Sequence, residues 1–125
     1  MAADLVRLFS YGTLQQKKVQ LETFGRLLIG EIDILQNFFL SKIEITDNTV
    51  ISRSGKKFHP IIFYNKDSQD EVKGMVFTIS YEELLKADGY EVDDYSRVEL
   101  TLKSGKKAWV YTSRDSIKMI GKENE

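Results

Sequence analysis

Cysteine is absent from this chain of 125 residues, and histidine occurs once, as His59. The absence of cysteine excludes disulfides, thiolate metal sites and a cysteine nucleophile. A single imidazole excludes every site built on two or more histidines, including the paired-histidine zinc motifs. The chemistry of this protein is therefore expected to depend on carboxylates, hydroxyls, backbone amides and a few arginine or lysine side chains.

A surplus of basic residues is also lacking, since 18 Lys and Arg balance 19 Asp and Glu for a net charge of −1. Nucleic-acid binders normally carry a basic surplus or stripe, so that class of protein is disfavoured. No stretch approaches the ~20 apolar residues that a bilayer span needs, and residues 1–7 lack the apolar region of a signal peptide. We therefore expect a soluble, cytoplasmic protein with neither a nucleic-acid nor a membrane partner.

Length and composition favour one folded domain. The chain is 42% hydrophobic and 11% aromatic, which is enough to fill a core, and domains usually have about 100–200 residues. We expect a single domain over residues 1–125, with a polar, frayed tail from about residue 115. Capping boxes at residues 13–16 and 80–83 predict two helices, the first over residues 14–23. With six or seven short β-rich runs, they predict an α+β fold: a small mixed β-barrel with two flanking helices.

Two identical Ser-Gly-Lys-Lys segments, at residues 54–57 and 104–107, are predicted to be hairpin tips. A phosphate-binding P-loop has a glycine five positions before its Gly-Lys pair, and neither segment has one. Residues 72–79 are apolar on both faces towards their end, which predicts a central strand covered on both sides. His59, directly before Pro60, is interpreted as a turn or rim residue, and Trp109 as a packing residue.

The first candidate for chemistry is Phe-Ser-Tyr-Gly-Thr-Leu at residues 9–14, where a predicted strand meets a glycine and then a helix. Such a junction exposes backbone N–H groups at the positive end of the helix dipole, so it can bind an anion or an oxyanion. Gly12 has no Cβ, which lets a ligand approach the backbone closely. Taken alone, the segment is more often an ordinary strand–turn–helix joint.

The second candidate is the acidic segment at residues 88–97, which follows the second predicted helix. Within it Glu91 lies between Tyr90 and Val92. Neighbours of this kind can desolvate a carboxyl and raise its pKa above about 4.3, which suits a general base near neutral pH. The other interpretation of this segment is a solvated acidic loop.

Short motifs follow one another along most of the chain. They are Tyr-Gly-Thr-Leu at residues 11–14, Asp-x-Tyr-Glu at 88–91 and Tyr-x-Arg at 95–97, with shorter segments at 25–30, 59–62, 72–77 and 110–111. In order and spacing, from Leu8 to Tyr111, they resemble the γ-glutamylcyclotransferase-like family, also called AIG2-like. The resemblance implies a small mixed barrel with flanking helices.

The resemblance also implies an activity and a set of site residues. The activity is conversion of a small γ-glutamyl amide to 5-oxoproline and a free amine, through attack of the glutamyl α-amine on the γ-carbonyl. Glu91 would be the acid/base. The substrate-binding residues would be Tyr11, Gly12, Thr13, Leu14, Tyr90, Tyr95 and Arg97. For Arg97 two roles stay open, because it could bind a substrate carboxylate or pair with Asp93 or Asp94. One carboxylate can carry out both proton transfers, so no metal and no organic cofactor is implied.

Two positions depart from the family pattern: Val92 stands where glycine is often found, and Ala87 where leucine is common. These changes leave Glu91 in place, while the identity of the released amine stays open. The alternative function is a non-catalytic small-molecule binding or regulatory module on the same fold. As to assembly, we expect a monomer or a weak homodimer.

Overall fold

The computed structural model describes residues 4–66 and 69–123 of the chain. The strands are β1 (Leu5–Ser10), β2 (Gly30–Gln36), β3 (Phe38–Glu44), β4 (Phe58–Tyr64), β5 (Glu71–Ser80), β6 (Tyr95–Thr101) and β7 (Lys107–Ser113). The helices are α1 (Lys17–Phe24), α2 (Asn48–Ser54), α3 (Tyr81–Tyr90) and α4 (Arg114–Glu123), with one turn of 3₁₀ helix at Thr13–Gln15. The α+β class is therefore confirmed.

Five strands form one sheet in the order β2-β5-β1-β7-β6, and β3 pairs with β4 in a separate hairpin. The central strand, β1, is antiparallel to β5 and parallel to β7. Within the described residues, β2 and β6 each have a strand neighbour on one side only. The predicted barrel is therefore not confirmed, because neither sheet closes on itself.

Side chains of the central strands alternate between two hydrophobic clusters, one on each face of the five-stranded sheet. In β1, Leu8 belongs to the cluster that also contains Leu84 of α3, whereas Phe9 belongs to the cluster with Ile62 of β4. In β5, Phe77 and Val76 are divided between the clusters in the same way. Since β5 lies between β2 and β1, the prediction of a central strand buried on both faces is confirmed.

The capping box at residues 80–83 begins α3 as predicted. The hydroxyl of Ser80 accepts from the backbone N–H of Glu83 at 3.1 Å, and the Glu83 carboxylate accepts from the N–H of Ser80 at 2.9 Å. The box at residues 13–16 does not form, and the first helix is divided into the 3₁₀ turn and α1. The reason is long-range: the hydroxyl of Thr13 lies 2.7 Å from that of Tyr90 and does not cap the helix.

Helices α2 and α4 were not predicted. Asp47 caps α2 by accepting from two backbone N–H groups, and Gly55 ends it in the left-handed conformation, at φ 70°. Residues 54–57 are therefore the end of a helix and not a hairpin tip, whereas residues 104–107 do connect β6 to β7 as predicted.

Helix α4 stands where the sequence predicts a frayed tail. The hydroxyl of Ser116 accepts from the backbone N–H of Tyr64 at 2.8 Å, which joins α4 to β4. Ile120 packs against the cluster around Phe9. These contacts with distant strands stabilise a segment that looks polar in sequence. In the part of the chain that the structure describes, every helix is too short or too polar to cross a membrane.

Candidate active site

A pocket opens beyond the end of β1, between the 3₁₀ turn, strand β4 and the end of α3. Of the predicted site residues, six line it: Tyr11, Gly12, Thr13, Leu14, Glu91 and Tyr95. Phe9, Ser10, His59, Pro60 and Tyr111 complete the lining. The cavity is small, with a volume of about 20 Å³ available to a water-sized sphere, and it is partly open to solvent. The fold therefore brings the loop after β1 and a carboxylate about eighty residues later into one cavity.

Gly12 is required at its position by a close contact. A Cβ atom on this residue would lie 2.9 Å from Cγ of Pro60, which is closer than carbon atoms approach without displacement. Tyr11, one residue earlier, donates its hydroxyl proton to the carbonyl of Tyr111 at 2.5 Å. The loop is thus held against both β4 and β7.

The 3₁₀ turn supplies backbone donors to the pocket wall. Its own hydrogen bonds run from Gln15 N–H to the Gly12 carbonyl and from Gln16 N–H to the Thr13 carbonyl. The N–H groups of Thr13 and Leu14 precede these bonds and have no partner in the described residues, as is usual for the first N–H groups of a helix. Two unpaired amides beside a cavity can bind a carboxylate or a developing oxyanion.

Glu91 is positioned by the end of α3. It is the C-cap of that helix, with extended backbone at φ −73° and ψ 141°, and its N–H still donates to the carbonyl of Ala87 at 3.1 Å. Its partly buried carboxyl has no hydrogen-bond or ion-pair partner among the described residues. Burial, and secondarily the negative charge of Asp88, raises the pKa of Glu91 to about 8. A carboxyl with this pKa can both accept and donate a proton near neutral pH.

The tyrosine hydroxyls around Glu91 donate to the protein. Tyr95 donates to the carbonyl of Pro60 at 2.6 Å, and Tyr111 donates to Asp88 Oδ1 at 2.6 Å. Burial raises the pKa of both phenols far above the ordinary value; the nearby Glu91 raises the pKa of Tyr95 further, and Asp88 does the same for Tyr111. These hydroxyls therefore stay protonated, with their protons committed to protein acceptors. Towards a ligand they can act as acceptors and as apolar walls.

Two predicted site residues lie outside the pocket lining. Tyr90 is buried behind the wall, where its hydroxyl meets that of Thr13. Arg97 makes two parallel hydrogen bonds to Asp88, at 2.8 and 2.9 Å, and its guanidinium lies 4.5 Å from the ring centre of Trp109. Of the two roles left open for Arg97, the structure shows pairing with an acidic residue, although the partner is Asp88 and not Asp93 or Asp94. The pair lies in a neighbouring cleft that Glu91 also lines.

His59 is not the turn or rim residue that the sequence suggested. It lies in β4 with 2% of its surface exposed, and its Nε2 is 2.9 Å from the hydroxyl of Ser54. The sequence interpretation failed because it treated residues 54–57 as a hairpin tip, whereas they end α2 and lead directly into β4. Trp109 is a partly buried packing residue, as interpreted.

Asp88 and Tyr111 were not predicted as a unit of the site. Nothing in the spacing of residues 88, 97 and 111 shows that one carboxylate accepts from both an arginine and a tyrosine.

In the described residues, no cluster of three or more metal-binding side chains is present.

Comparison with known proteins identifies a family for this chain. Residues 8–124 match the family model described as gamma-glutamyl cyclotransferase, AIG2-like, which confirms the resemblance. An Arabidopsis thaliana protein with a solution structure is 22% identical, with a TM-score of 0.67 over 93% of this chain and 67% of that chain. A structure named gamma-glutamyl cyclotransferase is 20% identical, with a TM-score of 0.65 over 88% of this chain and 67% of that one.

An uncharacterised protein of Pyrococcus horikoshii is 23% identical, with a TM-score of 0.59 over 86% of this chain and 77% of that chain. At such identities these structures show a shared fold. No curated protein sequence matches this chain.

Proposed function

This chain belongs to the gamma-glutamyl cyclotransferase, AIG2-like family, and on that premise we propose that it converts a small γ-glutamyl amide to 5-oxoproline and a free amine. The observation that supports the proposal is the position of Glu91. Its carboxyl has a raised pKa and no partner among the residues that the structure describes, and it lines the same pocket as Thr13 and Leu14, whose amides are unpaired there. An acid/base and an anion-binding loop are the two elements that this cyclisation needs.

The reaction begins when the α-amine of the glutamyl group attacks its own γ-carbonyl carbon. A carbon–nitrogen bond forms, the carbonyl oxygen becomes an oxyanion, and the Glu91 carboxylate accepts the proton that the amine loses. Glu91 then gives this proton to the nitrogen of the leaving amine as the original amide bond breaks. One carboxyl thus returns to its starting state in each turnover.

The pocket supports these reaction steps in two further ways. The amides of Thr13 and Leu14 can stabilise the oxyanion or hold the substrate α-carboxylate. The loop and Tyr95 line the same cavity, and a glutamyl chain that binds there in a curled form would have its amine already close to the γ-carbonyl. The family membership supports the activity in general, and the chemistry of the leaving amine is the part that the experiment has to establish.

The test is incubation with a panel of γ-glutamyl dipeptides and γ-glutamylamines, with 5-oxoproline measured by mass spectrometry. We expect turnover of at least one compound, and a loss of roughly 100-fold or more in Glu91→Gln, which keeps the shape of the side chain and removes the base. Glu82→Gln makes the same chemical change at an exposed position of α3 and should retain activity. Binding of the panel without any 5-oxoproline would instead indicate a non-catalytic binding module.

A further inference from the structure

His59 is a buried titratable residue of the pocket wall that the proposed reaction does not yet use. It lines the same cavity as Glu91 and the loop after β1. The next residue, Pro60, contacts both sides of the site, since its carbonyl accepts from Tyr95 and its ring lies against Gly12. The imidazole is therefore held by the strand that forms this side of the pocket.

The hydrogen bonds of Ser54 favour one tautomer of His59. A hydroxyl has one proton to donate and two lone pairs that accept. The Ser54 hydroxyl donates towards the carbonyl oxygens of Val50 at 3.0 Å and Lys56 at 3.2 Å, and it accepts from the Lys56 N–H at 3.2 Å. His59 Nε2 lies 2.9 Å from the same hydroxyl. When the hydroxyl proton points at the Val50 carbonyl, Nε2 must be the donor in this contact, and we take this tautomer as part of the inference.

In this tautomer the other ring nitrogen, Nδ1, has a free lone pair. No described residue donates to it. Burial lowers the pKa of His59 below its ordinary value of 6.5, which keeps the ring neutral at physiological pH. A polar atom in such a buried ring normally has a hydrogen-bond partner. Because His59 lines the pocket, the partner of Nδ1 is expected to come from whatever occupies the pocket.

We propose that Nδ1 of His59 accepts a hydrogen bond from the α-amino group of the γ-glutamyl substrate and so orients the attacking nitrogen. This inference rests on the proposed function. The amides of Thr13 and Leu14 are donors and match the carboxylate or the oxyanion, whereas the amine needs an acceptor. One N–H held by Nδ1 fixes the rotation of the amine, so that its lone pair can point at the γ-carbonyl. A neutral acceptor also stabilises an ammonium ion less than a carboxylate does, which keeps deprotonation by Glu91 easy.

The first experiment observes the imidazole directly. The chain has one histidine, so ¹⁵N NMR of the protein labelled at histidine gives one pair of ring nitrogen resonances. We expect a protonated Nε2 and an unprotonated Nδ1 in the free protein. On addition of a γ-glutamylamine to the Glu91→Gln variant, which should not turn it over, the Nδ1 resonance should shift in the direction of the protonated value while it stays in the unprotonated range. A protonated Nδ1 in the free protein would overturn the inference.

Backbone amide resonances of the same sample separate this inference from the proposed function. If Gly12 and Thr13 amides shift while Nδ1 stays unchanged, the ligand binds without His59, and only the present inference fails. If no panel compound shifts either set of resonances, both the proposed function and this inference fail.

A matched pair of substitutions tests the role in turnover. In His59→Asn the side-chain oxygen can take the place of Nδ1, while the contact with Ser54 is lost. In His59→Gln the amide can reach Ser54, while the acceptor in the pocket is lost. Loss of one hydrogen bond between neutral groups corresponds to about 2- to 10-fold, so we expect kcat/KM to fall by that factor in His59→Gln and by less in His59→Asn. A purely structural role predicts the reverse order, with activity following thermal stability.

Discussion

Glu91 determines the expected pH dependence of activity. Below its pKa of about 8 the carboxyl is protonated and cannot accept the proton of the attacking amine. We therefore expect kcat/KM to rise with pH through that value, measured as initial rates over about two pH units on either side. In Asp88→Asn the nearby negative charge is lost, so the apparent pKa should move to lower pH.

The amide of this variant can still accept from Arg97 and Tyr111, and Asp93→Asn is the control, since Asp93 does not contribute to the raised pKa. The α-amine of the substrate titrates in the same range, but its pKa does not depend on Asp88. An apparent pKa that is unchanged in Asp88→Asn would show that the profile belongs to the substrate and not to Glu91.

Single residues of the candidate site could be predicted where the signal is local. Glu91 and residues 11–14 line one pocket as the sequence led us to expect, although their roles stay predictions. For Arg97 the sequence left open the binding of a substrate carboxylate and pairing with Asp93 or Asp94, whereas its partner is Asp88 on the preceding helix. His59 was misjudged because its partner, Ser54, is brought to it by α2, which the sequence did not reveal.

The packing of strand β5 against β1 depends on Gly74. A Cβ there would overlap the carbonyl oxygen of Ser10 and lie 2.8 Å from Cζ of Phe9. We expect Gly74→Ala to lower the free energy of unfolding by about 1–3 kcal/mol, because backbone between paired strands cannot yield. Chemical denaturation measures the change.

Gly89→Ala is the matched control for this substitution. Gly89 lies in α3, and a Cβ there meets nothing within 4 Å. Alanine is favoured over glycine in a helix, so this variant should be more stable by about 0.5–1 kcal/mol. Equal effects of the two variants would contradict the packing argument.

Helices and strands could be predicted where a short sequence pattern is typical of only one kind of element. Ser80 and Glu83 form a reciprocal cap within four residues, and α3 begins there as expected. The residues that flank α2 are ambiguous, because Asp47 and Gly55 are typical both of turns and of helix ends. The predicted capping box at Thr13 does not form, because the Thr13 hydroxyl meets that of Tyr90, 77 residues later. No local sequence pattern can indicate such a contact.

The free energy of unfolding of the whole molecule should depend on pH through Glu91. Its pKa is about 8 in the folded protein and near 4.5 when unfolded, so between these values the folded state holds a proton that the unfolded state has lost. The free energy of unfolding therefore decreases as pH rises through this window. Glutamine cannot ionise, so Glu91→Gln should be more stable than the parent by roughly 1–3 kcal/mol at pH 8.

Urea unfolding at about pH 4 and at pH 8 measures this difference, which should be close to zero at the lower pH, where both states bind the proton. Glu82→Gln should show no comparable dependence. A Glu91→Gln variant with the same pH dependence as the parent would contradict a buried, proton-retaining carboxyl.

For the molecule as a whole, the number of strands could be predicted, but not their arrangement. Short β-rich runs between turn signals indicated six or seven strands, and seven are found in the described residues. Closure of a barrel depends on whether β2 and β6 find partners, and that is a question of long-range pairing. Periodicity within each strand contains no information about it.

The central place of β1 has a consequence for synthesis on the ribosome. This strand emerges first, yet its neighbours β5 and β7 follow about seventy and one hundred residues later. At the usual rate of about 5–20 residues per second, Leu8 and Phe9 wait several seconds without a partner. The nascent chain thus exposes the central strand until β5 has emerged, and a chain released before β7 lacks a whole side of the sheet that carries the pocket.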